Sequence, residues 1–127
     1  MSLFEYALLR VVPRVERGEF INAGVVLYCQ DAGFLDARID LDPERLRALD
    51  PNLDPETVQA HLEAARRVCA GGAEAGAVGM LPQGQRFGWL VAPRSTVVQP
   101  SPVHTGFAND PEEAIQHLLN VMVRVPA

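Results

Sequence analysis

Several side chains capable of chemistry stand where burial would be costly without a partner. Arg10 interrupts the apolar run 3–12 (LFEYALLRVV) and Asn22 interrupts 20–29 (FINAGVVLYC), while Arg17 and Glu19 lie between the two runs. Polar groups inside apolar segments must be hydrogen-bonded or charge-paired. Strands joined by a short turn pair antiparallel, so these four residues are expected at one end of a sheet. Arg94, Ser95, Thr96 and Gln99 add donors from a later segment. Two chemistries fit. One is an internal ion-pair network, Arg17 or Arg94 with Glu19, in which Asn22 fixes the turn. The other is a pocket for an anion or a peptide carboxylate built from Arg10, Arg17 and Arg94. The sequence does not choose between them.

His104 is the one histidine placed in an irregular segment near hydroxyl residues, Ser95, Thr96 and Ser101. No G-x-S-x-G elbow, glycine-rich phosphate loop or dinucleotide fingerprint accompanies it, so a nucleophilic triad has little support. His61 and Cys69 stand two helical turns apart, and His117 flanks a helical apolar stripe, so no metal-ligand spacing arises and no metal or cofactor is expected. Cys29 and Cys69 form no CxxC pair and read as small buried hydrophobes.

The elements that must position these groups follow from periodicity. Residues 3–12 and 20–29 read as strands without clean alternation, which fits strands covered on both faces. Residues 34–41 (FLDARIDL) alternate strictly and read as a half-exposed strand. With short connections through Gly18 and Gly33, the three form an antiparallel meander. Three Asp-Pro-Glu triplets, at 42–44, 54–56 and 110–112, mark helix starts by N-cap, N1 proline and dipole-matching glutamate. At the third, Glu113 completes a capping-box pattern. The second helix places Val58, Leu62, Ala65 and Cys69 on one face, and the last places Ile115, Leu118, Leu119 and Met122 on one face. Residues 71–86 read as a mobile connector. Residues 87–92 (FGWLVA) and 95–99 (STVVQ) read as strands, and 100–109 as irregular. The fold expected is α+β: an antiparallel sheet of four or five strands with helices packed mainly on one face.

With 127 residues, 48% hydrophobic and 21% charged, the chain is expected to be a single globular domain, a monomer or homodimer. Its 11 basic residues are all arginine, consistent with a GC-rich bacterial source. A net charge of −5 without any basic run argues against nucleic acid as a ligand. No secretory leader or membrane span is read, so the expected location is cytoplasmic.

At residues 17–28 (RGEFINAGVVLY), and again at 87–107 (FGWLVAPRSTVVQPSPVHTGF) followed by DPEE at 110–113, the chain resembles a bacterial family, the domain of unknown function 3037. The resemblance carries no catalytic residue. Its members are often encoded beside a protein resembling the HipA-type kinases, which implies a regulatory or antitoxin-like role with that kinase as partner. Taken together, these readings favour a non-enzymatic interaction module over a small-ligand or anion-binding domain, or an enzyme, that would use Arg10, Arg17, Glu19, Asn22, Arg94, Ser95 and His104.

Overall fold

A computed structural model describes residues 1–125. It forms a five-stranded antiparallel sheet with helices on both faces, three on one side and one on the other. Strand β1 (Ser2–Val11) is central and pairs with β2 (Ile21–Cys29), which pairs with the edge strand β3 (Phe34–Ile39). On its other side β1 is met by two short strands in tandem. β4 (Val98–Pro100) covers Leu9 to Val11, and β5 (His104–Ala108) covers Ser2 to Tyr6.

Between these two strands the ladder is broken by Pro100 and Pro102, neither of which has an N–H to donate. Ser101 fills the gap. Its backbone N–H donates to the Leu8 carbonyl at 2.8 Å, and its hydroxyl accepts from the Leu8 N–H at 2.8 Å while donating to the Pro102 carbonyl. At 3% exposure it is the one buried polar side chain among the described residues.

The irregular hydrophobicity of β2 has two causes. Both of its faces are covered, and a bulge between Leu9 and Arg10 of β1 inserts Ala23 into the register. Ile21, Ala23 and Val26 therefore share one face although their spacing is not even, and Val25, Leu27 and Cys29 share the other. Gly24 sits at the bulge where a Cβ would come within 2.9 Å of the Arg38 carbonyl.

The first face is covered by α1 (Pro43–Leu49), α2 (Pro55–Ala70) and α3 (Gln83–Leu90), through Leu46, Val58, Leu62, Val68, Cys69, Phe87 and Leu90. All three Asp-Pro-Glu sites are helix starts. Asp42, Asp54 and Asp110 each accept a hydrogen bond from the N–H two residues on, at 3.0, 3.2 and 3.0 Å. At the third, no bond from Glu113 closes the reciprocal half of a capping box.

The segment 71–86 is not a loose connector. Two 3₁₀ turns (Ala73–Ala75 and Ala77–Met80) fold back on α2, and the Gly72 N–H donates to the Gly79 carbonyl at 2.8 Å. A Cβ at Gly79 would lie 2.1 Å from the Gly72 carbonyl oxygen, so only glycine allows this approach. The Arg86 guanidinium ties the segment down by donating to the carbonyls of Val68, Cys69 and Leu81 at 3.0, 2.7 and 3.0 Å. It thereby satisfies acceptors that the end of α2 leaves open.

Residues 87–92, expected as a strand, lie largely in α3: Phe87 and Leu90 are three apart and both face the core. Residues 95–99 contribute only their last two positions to β4, and 100–109, expected as irregular, contain β5.

The opposite face is covered by α4 (Pro111–Leu118) and the π-helical turn that continues it, Leu119–Val123. The π turn, closed by Arg124 N–H to the Leu119 carbonyl, adds a residue to the turn and rotates the apolar stripe. Val123, 3% exposed, takes the place expected of Met122, which is 44% exposed. Arg38, braced by Asp36 of its own strand, anchors α4 to the sheet through Glu112 and Gln116. Burial draws its pKa down, and the bonds and charges of Asp36 and Glu112 outweigh this and leave it raised. Cys29 and Cys69 are buried on opposite faces of the sheet, which rules out a disulfide between them.

Two outcomes follow. Ser101→Ala leaves the Leu8 N–H buried without its partner and is expected to cost about 1–3 kcal/mol in chemical denaturation; an unchanged midpoint would show that the ladder does not need the hydroxyl. Burial, with the charge of Asp36 adding to it, pushes the Cys69 thiol up to about 12 from its ordinary 9.0. Between those values the unfolded chain loses the proton and the folded chain keeps it, so stability falls as pH rises from 9 to 12. Cys69→Ala should flatten this alkaline loss, measured as the difference between denaturation midpoints at pH 8 and pH 11.

Candidate functional site

The residues singled out from sequence occupy three places. Arg17 and Glu19 do form an ion pair, at the short 3₁₀ turn Val15–Arg17 and the segment after it. Both are exposed. The hydrogen bond between them is the main cause raising the pKa of Arg17 and lowering that of Glu19. The hollow they share with Pro13, Arg14 and Leu49 measures only about 10 Å³, room for one water at most.

Arg10 and Asn22 are direct partners across β1 and β2, with Gln99 opposite Arg10 on β4. The Arg10 guanidinium lies 4.2 Å from the centre of the Phe20 ring, a cation–π contact. Asn22 does not fix the turn; its amide donates to the Met122 carbonyl at 3.1 Å and so holds the end of the π turn against the sheet. Arg10 Nε and Asn22 Oδ1 are buried and make no hydrogen bond within the described residues.

Arg94 is not paired with Glu19. Its guanidinium donates to the carbonyls of Trp89 and Ala92 at the end of α3 and stacks 4.6 Å from the Trp89 ring. Ser95 is exposed beside it with no described hydrogen bond. His104 lies on β5 opposite Tyr6, their rings 5.5 Å apart. Ser101, one of the hydroxyl residues considered beside His104, is engaged by Leu8 and Pro102. No group of three or more His, Cys, Asp or Glu side chains is placed to hold a metal among the described residues.

Two features were not visible in the sequence pattern. A cleft of about 190 Å³ opens between α2, the end of α3 and β4, walled by Leu9, Val68, Leu90 and Val98, with Trp89, Arg94 and His61 also lining it. Trp89 and His61 were hidden because 87–92 reads as a strand and His61 is weighed only for its spacing from Cys69. The one usable signal was that Trp89 is the only tryptophan of the chain.

The second feature is the outer edge of β5, which pairs with β1 alone among the described residues. Its sequence HTGFA contains no proline, lysine or acidic residue of the kind that guards free edges. Phe107 is 66% exposed and its cross-strand partner Leu3 is 49% exposed. By the period of two, Leu3 shares a face with Ala7, Leu9 and Val11, so α1 to α3 stop short of this end of the sheet. The surroundings are acidic. Glu5 and Asp31 flank Leu3 in one hollow, and Asp110 and Glu113 flank Phe107 in another.

Because the Arg17–Glu19 pair is fully solvated, breaking it should leave stability nearly unchanged. Arg17→Gln and Glu19→Gln are each expected to denature within experimental error of the parent chain. A clear drop in midpoint for either would assign the pair a structural role that its exposure argues against.

No helix among the described residues is long and apolar enough to cross a membrane. No curated protein and no solved structure matches the chain. A family match does cover residues 6–123, a span that runs from the middle of β1 to the end of the π turn and takes in every later strand and helix described above. The chain belongs to the family described as Protein of unknown function (DUF3037).

Proposed function

We propose that the chain is a non-enzymatic interaction module of the bacterial cytoplasm, and that the open edge of β5 receives an extended segment of another protein as a sixth strand. The observation that supports this reading is the unguarded edge itself, with Phe107 and Leu3 side by side on an uncovered stretch of sheet. Strand addition supplies main-chain hydrogen bonds, and alternate side chains of the incoming segment give specificity. The occupant is a segment with apolar residues at alternate positions, to lie against Phe107 and Leu3. Basic residues flank them, to meet Glu5, Asp31, Asp110 and Glu113. The protein resembling HipA-type kinases, encoded beside members of the family, is the partner this reading selects.

The test is binding of the purified chain to that kinase-like protein from the same organism, by calorimetry at several salt concentrations. A complex is expected that weakens as salt rises. Removing an apolar anchor worth about 1.5–3 kcal/mol when buried should weaken it about tenfold or more in Phe107→Ser and in Leu3→Ser. Circular dichroism should show both variants folded. A complex indifferent to both substitutions would place the interface elsewhere, and no complex at all would remove the kinase as partner.

A further inference from the structure

We infer that the cleft at the end of α3 is a binding site for a small monocarboxylate whose apolar body is about the size of one ring. Neither the proposed interaction surface nor the first-turn residues take part in it, since the residues lining the cleft and those of the β5 edge are separate sets.

Size sets the first limit. A cavity of about 150 Å³ lined by apolar side chains accommodates benzene, and this cleft offers about 190 Å³. That is room for a single ring or a short branched chain with one polar group. The walls match such a body: Leu9, Val68, Leu90 and Val98 are aliphatic, and the Trp89 indole adds a flat face.

The polar lining sets the charge. Arg94 and His61 both line the cleft, and no carboxylate does. Two guanidinium nitrogens of Arg94, Nε and one Nη, are held by the Ala92 and Trp89 carbonyls. The other Nη makes no hydrogen bond among the described residues, so the guanidinium is fixed in place with one donor group to spare. A donor held rigid before the ligand arrives loses little entropy on binding. A guanidinium favours a carboxylate over a neutral isostere because the bond is charge-assisted. The same Arg94 lies over the Trp89 ring at 4.6 Å, so an anion reaching it necessarily comes beside the only indole of the chain.

That single tryptophan makes the test direct. Its fluorescence is titrated with benzoate, and with benzamide as the neutral isostere. Benzoate is expected to produce a saturable change with a dissociation constant of about 1 mM or tighter, and benzamide to bind about tenfold or more weakly. Arg94→Gln should abolish the preference for benzoate. Because that substitution also removes two bonds at the end of α3, a second variant keeps the arginine: Ala64→Leu fills the cleft from α2 with a good helix former and should abolish saturation by both probes. A response to benzoate that never saturates, an equal affinity for benzamide, or saturable binding that survives Ala64→Leu would each overturn the assignment. Binding of the kinase-like partner is measured separately and is expected to be unaffected by Ala64→Leu, so failure of one site does not bear on the other.

Discussion

The sheet depends on how the Leu8 backbone is satisfied. β1 is bonded along both sides, to β2 on one and to β4 and β5 on the other, and this second side is covered by two strands that two prolines keep from being one. A central strand with an open N–H and C=O at its midpoint would leave two unpaired polar groups inside the fold. Ser101 meets both, the N–H of Leu8 with its hydroxyl and the carbonyl with its own N–H. The stagger of β4 and β5, and with it the position of everything carried on the 90–110 segment, follows from that one residue standing between Pro100 and Pro102.

Arginine acts throughout as a fastener for helix ends and turns. Arg86 holds the carbonyls at the end of α2, Arg94 those at the end of α3, and Arg45 the Val123 carbonyl at the end of the π turn. Arg38 and Arg124 bind α4 and its extension to the strand edge through Glu112 and Asp40. Multiple donors on one planar group let a single side chain span several carbonyls, which a lysine cannot do with the same geometry. The arginines grouped in the sequence do not converge in the structure: Arg10 lies over the Phe20 ring, Arg17 pairs with Glu19, and Arg94 holds the end of α3.

Elements whose signal is local were legible in the sequence. The Asp-Pro-Glu starts state cap, first-turn proline and dipole charge within three residues, and β1 to β3 are long apolar or alternating runs with glycine turns between them. The pairing of Arg10 with Asn22 was also legible, because a short turn fixes antiparallel neighbours. What escaped was set by tertiary contacts. Six residues such as FGWLVA have the composition of a strand, and only the packing of Phe87 and Leu90 on the sheet selects a helix. β5 was masked by prolines that lie just before it, and the π turn by the assumption of a constant helical period. Of the candidate residues, Arg94 was found for its charge, but the neighbours that give it a cleft, Trp89 and His61, come from separate helices whose approach no short-range pattern encodes.

The tandem arrangement on β1 also divides that strand mechanically. From Leu9 to Val11 it is clamped between β2 and β4, with buried side chains under the helical layer. From Ser2 to Tyr6 its outer neighbour is a five-residue strip reached through a proline-flanked joint. Lifting this strip would leave the bonds of β4 to Leu9 through Val11 in place, since Ser101 separates the two ladders. The strand thus carries two separately bonded neighbours along one side, and the one nearer its start bears the exposed aromatic ring.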